Sequence, residues 1–435
     1  MPEAVVIVGA GQAAAQAIDT FRRRGFGGAI TLVGEEDAWP YQRPPLSKKY
    51  LAGTLGRDRL PFRPAHFYAE RRVEARLGRR ALGIDRGAQC VTLDDGSRIA
   101  YDRLLLATGA RPRRLELPGA TLAGIHTLRT AADADRLRAA FAPGARLAIV
   151  GGGYIGLEVA ATAKELGIDV TVLEMTGRVM NRVVCEPIST FYQAEHARHG
   201  VRIVLDARVQ AFADDGNGRV RAVVCDDGRE FPADTALVGV GITPAEGLAA
   251  SAGIACADGI EVDEHCRTSD PLIFAAGDCV RFPCLRYGRR VRLESVDNAF
   301  EQGATAALNM LGIPTVHDKV PWFWSDQFDL KLIIVGLCQG HDTVVLRGAP
   351  ESRTFSACYL RDGELIAIDT VNSPKDQMAA RKLIAARVRP SLDKLADARV
   401  PLRRLAPAVP FLTAAVALGV LTYMEIGRAS CRERV

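Results

Sequence analysis

Short apolar runs, each bounded by glycine, recur in a fixed order along this chain. The run Val5 to Val8 leads into Gly9-x-Gly11-x-x-Ala14 and then into an Ala-rich helical pattern. A second apolar strand, Ala29 to Gly34, ends in Glu35. The same order returns further on. Leu147 to Val150 leads into Gly151-x-Gly153-x-x-Gly156, with Tyr154, Ile155 and Glu158 opening a helical pattern, and the strand Asp169 to Leu173 ends in Glu174. After each unit comes an Asp-Gly pair between strand-like runs, Asp95-Gly96 and Asp227-Gly228, which predicts a two-residue hairpin turn. A closing apolar strand then runs into Ala107-Thr108-Gly109 in the first set and Val240-Gly241 in the second. One module is present as a tandem repeat. Beyond Pro321 the pattern changes to an antiparallel sheet: Leu332 to Val335, Thr343 to Leu346, and a hairpin across Asp362-Gly363. A helical stretch from Pro374 to Ala386 follows.

The glycine turns carry the chemistry. In each, the first Gly permits a tight turn, the second lets backbone approach a phosphate, and a small third residue lets helix pack on strand. The helix N-terminus then offers free N–H groups and a partial positive charge to a pyrophosphate. Glu35 and Glu174 stand where a carboxylate accepts hydrogen bonds from a ribose 2′-hydroxyl. A lone glycine pattern is weak. Here each has a strand before it, a helix after it and an acid at the next strand end. Two modules imply two dinucleotides, and the simplest chemical reason is one hydride carrier that comes and goes and one flavin that stays.

Composition narrows the class. The 435 residues are too many for one ordinary core, so two or three domains are expected. Hydrophobic residues at 48% and charged residues at 25% describe a folded chain rather than a disordered one. The balance of 56 basic against 51 acidic side chains, net +5, does not point to nucleic acid, and would favour an acidic protein partner if clustered. The N-terminus enters a strand with no signal peptide. The ten cysteines form no Cys-x-x-Cys pair, the closest spacing being Cys279 to Cys284. Scattered cysteines fit a reducing cytoplasm. No metal site is expected.

With these motifs in hand, the chain resembles the FAD-dependent NADH:ferredoxin reductases of bacterial oxygenase systems, a family of the two-dinucleotide-binding flavoprotein superfamily. The similarity runs from about Val5 to about Leu405. Its most specific stretch is "YQRPPLSKKYLAG", Tyr41 to Gly53. The resemblance implies that Arg43 and Lys48 touch FAD, with Lys48 near the reactive edge, where a cation stabilises negative charge on reduced flavin. "TSDPLIFAAGDC", Thr268 to Cys279, looks like a second FAD fingerprint whose Asp278 binds ribityl hydroxyls. "LESVDNAFEQG" looks like the helix that meets the pyrimidine end of the ring, which places Glu294, Ser295 and Val296 there. The implied FAD set is thus Gly9, Gly11, Ala14, Glu35, Arg43, Lys48, Thr108, Gly109, Arg111, Asp278, Glu294, Ser295, Val296 and Trp324. The implied NAD set is Gly151, Gly153, Tyr154, Ile155, Gly156, Glu158, Glu174 and Gly241. Lys48, Glu158 and Trp324 are the implied catalytic residues: Glu158 positions the nicotinamide and Trp324 lies close to the flavin. For Trp322 and Phe323 an aromatic core role is preferred. Glu174 favours NAD over NADP, and Arg178 nearby works against that preference. Pro244-Ala245 departs from the family's Pro-Asn.

The expected fold is α/β, with two tandem Rossmann-like dinucleotide-binding domains and a small α+β C-terminal domain. The FAD domain spans 1–112 and 247–320, split by an NAD domain at 113–246. The C-terminal interface domain spans 321–404. The apolar tail 405–435 is set outside the fold, as disordered or artefactual. Prolines leave only Phe411 to Met424 uninterrupted, shorter than the ~20 residues a lipid-spanning helix needs, and "EIGRASCRERV" resembles a translated library adapter. The expected partner is a small acidic [2Fe–2S] ferredoxin and, through it, a cytochrome P450 or ring-hydroxylating oxygenase, with the chain a monomer or homodimer. A disulfide reductase or peroxidase is the first rival, but it needs a cysteine beside the flavin. No cysteine precedes Cys90, and Pro44-Pro45 fills the loop where one would stand. The second rival, a signalling flavoprotein resembling apoptosis-inducing factor, would add targeting segments and basic insertions.

Overall fold

A computed structural model describes residues 2–405. The first sheet has five parallel strands in the order Ile273–Ala275, Arg103–Leu106, Ala4–Val8, Ala29–Gly34, Val73–Leu77. Its outermost strand, Ile273–Ala275, comes from far downstream, so the sheet is completed only after the second module has been built. The central strand is fully covered, which its unbroken apolar run requires. Helices Gln12–Arg23 and Val296–Met310 cover one side together. They meet at Gly303, where a Cβ would sit 2.4 Å from the Ala13 carbonyl oxygen.

The second sheet repeats this plan with parallel strands Arg202–Val204, Asp169–Leu173, Arg146–Val150, Thr235–Val238 and Ile125–His126. Each sheet carries a three-stranded antiparallel unit, at Ala81–Ala100 and Val209–Pro232, and the expected hairpins turn at Asp95-Gly96 and Asp227-Gly228. Strands Ala110–Pro112 and Ile242–Pro244 pair antiparallel, so the outgoing and returning crossings between the two sheets lie side by side.

The last sheet is antiparallel, in the order Trp322–Gln327, Leu330–Gly336, Glu364–Val371, Thr354–Arg361, Thr343–Ala349. The strands around Asp362-Gly363 are buried on both faces and show no alternation. One face packs on helix Pro374–Ala385 through Leu360, Ile368 and Leu383. The other receives helix Glu186–Arg198, with the Phe191 and Phe355 rings 5.1 Å apart. The sheet is thus clamped onto the second module. Among the described residues no helix is long and apolar enough to cross a membrane. The expectation for the tail concerns residues that, from 406 onward, lie outside the described ones.

Candidate active site

The two glycine turns have matching geometry. Gly9 has φ +110° and a Cβ there would lie 2.1 Å from the Ala107 carbonyl oxygen. Gly151 has φ +108° and its Cβ would lie 2.6 Å from the Gly239 oxygen. Both positions exclude a side chain twice over, by conformation and by space. Ala14 is fully buried, and a Cβ on Gly156 would strike the Gly151 oxygen at 2.2 Å, so the third positions must be small. The middle glycines are different. No atom lies within 4 Å of a Cβ built on Gly11 or Gly153. Each is the N-cap of its helix, without a side-chain cap or an acid in the first turn. Two other helices are closed off by side chains: Thr130 and Asp133 form a capping box, and Ser295 Oγ accepts the Asn298 N–H at 3.1 Å. Free N–H groups under open space fit a pyrophosphate at both turns.

The acids at the strand ends differ from each other. Glu174 accepts from the Gly152 N–H at 2.7 Å, the Thr176 N–H at 2.9 Å and the Thr176 hydroxyl at 2.8 Å. Arg178 does not face an incoming phosphate as a free cation. Its guanidinium donates to the Val184 oxygen at 2.7 Å, Ser189 Oγ at 2.8 Å and the Asn181 oxygen at 3.0 Å, so it fastens the loop after Glu174. The expected counterweight to Glu174 is therefore absent. Glu35 is largely exposed and pairs with Arg111 at 2.8 Å. Its neighbour Glu36, not singled out in the sequence, takes Arg43 at 2.8 Å and the Tyr41 hydroxyl at 2.6 Å. Arg43 also donates to the Arg129 oxygen at 2.6 Å.

Asp278 pairs with Arg129 at 2.8 Å, and Arg129 Nη2 lies 3.4 Å from the Cβ position of Gly109. Arg129 thus stands over the closing turn of the first module, a role no motif announced. Thr108 Oγ1 donates to the Ala245 oxygen at 2.7 Å, and the Ala245 N–H donates to the Gly109 oxygen at 2.9 Å. These contacts use backbone atoms of Ala245, so they survive the departure from Pro-Asn. Glu294 pairs with Arg292, and burial pushes its carboxyl pKa up. Gln302 accepts the Gly277 N–H at 2.9 Å and leaves its Nε2 buried without a partner; Asn298 Oδ1 is in the same state. Buried polar groups left open on the helix that Val296 begins fit a polar ring edge. Trp324 stacks on Trp322 with centroids 5.4 Å apart. Trp322 is more than core filler, because its indole N–H donates to Asp297 at 2.6 Å. Phe323 packs on Tyr154 at 4.7 Å.

The centre of the site is Glu158, which is 2% exposed. Its Oε2 accepts from Ser47 Oγ at 2.5 Å and lies 2.8 Å from Lys48 Nζ. Its Oε1 accepts from Ser325 Oγ at 2.8 Å. Thr162, one turn further along the same helix, donates to the Ser47 oxygen at 2.8 Å. Three segments distant in sequence converge on one carboxylate: the 3₁₀ turn Pro44–Ser47 with Lys48, the helix Tyr154–Glu165 and the strand Trp322–Gln327. Ser47 and Ser325 escaped the sequence reading, although Ser47 lies inside the Arg-Pro-Pro-Leu-Ser-Lys run.

Thiol chemistry is not arranged here. Among the described cysteines all but Cys256 are buried. Burial pushes the Cys256 thiol up to about 11 and those of Cys338 and Cys358 to about 12. Cys279, nearest the Gly277 turn, is also raised by burial, and its sulfur faces the Leu106 and Ala276 oxygens. A nucleophilic thiolate needs the opposite environment. Among the described residues no group of His, Cys, Asp or Glu could hold a metal ion.

Comparison with known proteins agrees with this geometry. Residues 3–303 match the pyridine nucleotide-disulphide oxidoreductase family, and residues 322–406 match the reductase C-terminal family. The chain is 43% identical over 407 residues to the 5,5'-dehydrodivanillate O-demethylase ferredoxin reductase subunit of Sphingobium, spanning 93% of this chain and 98% of that one. It is 43% identical over 393 residues to rhodocoxin reductase of Rhodococcus erythropolis, spanning 90% and 92% respectively. The reductase in the crystal structure of the covalent putidaredoxin reductase–putidaredoxin complex superposes with a TM-score of 0.90 at 40% identity, over 93% of this chain and 98% of that one. The chain belongs to the pyridine nucleotide-disulphide oxidoreductase family, as a flavoprotein oxidoreductase of the ferredoxin-reductase kind that binds FAD and uses NAD(P)H.

Proposed function

We propose that this protein carries electrons from NADH, through FAD on the first module, to a small acidic [2Fe–2S] ferredoxin that feeds a cytochrome P450 or ring-hydroxylating oxygenase. The observation that carries this reading is the pair of uncapped helix N-termini under open space at Gly11 and Gly153, with the Lys48–Glu158 ion pair on the helix that begins at the second. The relatives described above are reductases of ferredoxin-linked systems, which supports the acceptor class. Bound FAD supplies the conversion from two-electron to one-electron chemistry.

The residues divide the remaining work. The first turn, with Gly9, Gly11 and Ala14, seats the FAD pyrophosphate, and Asp278 with Arg129, Arg43, Thr108, Gly109, Arg111 and Glu35 holds the rest of that nucleotide. Glu294, Ser295 and Val296 meet the ring, and Trp324 covers it. The second turn, with Gly151, Gly153, Tyr154, Ile155 and Gly156, seats NADH, with Glu174 on the ribose and Gly241 closing the site. Lys48 places positive charge at the reactive edge, and Glu158 fixes both Lys48 and the nicotinamide side. The domain limits consistent with this division are 1–112 with 247–320, 113–246, and 321–404, in a reducing cytoplasm.

The test is anaerobic titration of the purified yellow protein with NADH, followed by cytochrome c reduction with candidate [2Fe–2S] ferredoxins, peroxide and disulfides in parallel. Flavin bleaching by NADH with ferredoxin-dependent turnover is expected. Fast turnover of peroxide or a disulfide with every ferredoxin inert would overturn the assignment.

A further inference from the structure

A line of buried side chains leads away from Glu158. Ser325 Oγ lies 2.8 Å from Glu158 Oε1, Gln327 Nε2 lies 3.1 Å from Ser325 Oγ, and His196 Nε2 lies 2.9 Å from Gln327 Oε1. Ser325, Gln327 and His196 are at most 1% exposed. The line passes from the last sheet into helix Glu186–Arg198 of the second module.

Its polarity follows from the donor inventory. The Ser325 hydroxyl donates its one proton to Glu158 Oε1. Ser325 Oγ is then left to accept, which turns the Gln327 amide nitrogen toward it. The amide oxygen consequently faces His196 and places the imidazole proton on Nε2. His196 Nδ1 has no partner, and burial pushes the imidazolium pKa down to about 4, so the ring is neutral. Every donor in the line points toward Glu158.

The surroundings leave this line little competition. Lys48 and Ser47 face Glu158 Oε2 from the 3₁₀ turn. Tyr192, on helix Glu186–Arg198, has a hydroxyl without a partner and stays neutral, because burial raises its pKa; the carboxyls that act on it are those of Asp326, Asp369, Glu195 and, least, Glu158. Oε1 depends on Ser325.

We infer that Ser325, Gln327 and His196 are positioning residues for the reduction of the flavin by NADH: through a one-way line of hydrogen bonds they hold the Glu158 carboxylate aimed at Lys48. The inference rests on the reading that places Glu158 at the nicotinamide side. Without the Ser325 hydroxyl, Oε1 loses the contact that orients the carboxylate, so the loss should appear in the rate of flavin reduction. The line also ties that carboxylate to the seating of the last sheet, because Ser325 and Gln327 move with it.

The experiment uses the FAD-loaded protein and the variants Ser325→Ala, Ser325→Thr, Gln327→Leu and Glu158→Gln. Three readouts are taken: FAD content with thermal release of flavin, the pH profile of rapid-mixing flavin reduction by NADH, and the pH dependence of the flavin absorbance change on adding NAD⁺. Ser325→Ala is expected to retain FAD and to slow flavin reduction by NADH about tenfold across the pH range, about 1.4 kcal/mol, and Gln327→Leu to retain FAD with a smaller loss, since it acts through Ser325. Ser325→Thr is expected to restore the parent profile. Glu158→Gln should slow flavin reduction at least as much as Ser325→Ala. Parent-like profiles for Ser325→Ala and Gln327→Leu, with Glu158→Gln altered, would overturn the inference alone. A parent-like profile for Glu158→Gln would instead overturn the role given to Glu158. If Ser325→Ala does not hold FAD, Gln327→Leu decides, since it leaves the Ser325 hydroxyl in place.

Discussion

Glu174 accepts the Gly152 N–H at 2.7 Å, so the acid at the end of its strand is fastened to the glycine turn beside it. A 2′-phosphate about 4 Å from that carboxylate would meet roughly 4 kcal/mol of repulsion per unit charge at an effective dielectric near 20. Arg178 gives no relief, because its donors are committed to Val184, Asn181 and Ser189. NADH should therefore be strongly preferred. Glu174→Ala should narrow the NADH to NADPH ratio of kcat/KM by at least tenfold, about 1.4 kcal/mol. Arg178→Ala should leave that ratio unchanged and lower the melting temperature, measured with ferricyanide as acceptor and by flavin release. Equal use of both nucleotides by the parent protein would refute the carboxylate argument.

The open space at the middle glycines separates the two nucleotide sites experimentally. Gly11 and Gly153 have ordinary negative φ values and no atom within 4 Å of a Cβ, so a side chain at either position starts in free space and obstructs what binds above it. Gly11→Val should fold and lose FAD, with affinity at least ~10-fold weaker, about 1.4 kcal/mol. Gly153→Val should remain yellow and show a raised KM for NADH. Both are checked by flavin content, circular dichroism and steady-state kinetics. Two colourless variants, or two unfolded ones, would contradict the division of the turns.

Much of this arrangement is readable in the sequence, and the reason is local. Each glycine turn carries its strand, helix and acid within one short window, so the strand Asp169–Leu173 coincides with its predicted limits. The strand at Leu332 to Val335 extends to Leu330–Gly336 because pairing with both neighbours carries it past its most apolar core. What the chain conceals is tertiary. Ser47 and Glu158 are separated by 111 residues, and Ser325 and Glu158 by 167. A serine in a loop or a strand has no periodicity that would mark it. Arg129, paired with Asp278 across 149 residues, is one arginine among many until the fold places it over Gly109. Arg178 shows the converse: its nearness in sequence to Glu174 suggests a phosphate partner, and the loop geometry uses it elsewhere.

The absence of an activated thiol gives a prediction of its own. Cys279 and Cys284 are buried, and burial raises both thiols. Serine at either position should keep FAD bound and ferredoxin-linked cytochrome c reduction within about twofold of the parent, a change under ~0.5 kcal/mol. Loss of that activity with FAD still bound would mean that a cysteine lies in the electron path.

Electrostatic steering should be visible as a salt effect. Lys48 is only 18% exposed and already paired with Glu158, so it is a poor steering charge. Arg381 lies 6.0 Å from the Trp322 ring centroid, and Arg381 and Lys319 both act on Asp297 beneath it. An acidic ferredoxin approaching Trp324 would meet Arg381 and Lys319, the latter 56% exposed and only loosely paired with Glu301 at 3.7 Å. Turnover should fall as salt passes roughly 0.1 M, where the Debye length is about 10 Å. Replacing Arg381 and Lys319 by Ala should flatten the salt dependence while flavin reduction by NADH is unaffected. A rate independent of salt would remove the steering argument.

Asp369 supplies a stability prediction with a definite sign. It is completely buried, its Oδ2 is bonded to the Tyr359 hydroxyl, and its Oδ1 has no partner. Burial raises its carboxyl to about 8, against an unfolded value near 3.8. A folded pKa above the unfolded one means that the folded protein binds the extra proton between those values. The contribution of Asp369 is then fully present below pH 3.8 and is lost as pH rises toward 8. The loss approaches roughly 1.4 kcal/mol per pH unit across that window. His196 and His317, both lowered to about 4 by burial, act in the opposite sense and weaken the fold as pH falls below the ordinary histidine range. Stability should therefore peak between the two effects. Asp369→Asn keeps the shape and removes the charge, so its melting temperature relative to the parent should rise steadily from pH 5 to pH 8. A difference that stays constant across that range would show that Asp369 is ionised in the folded protein and that its environment has been misread.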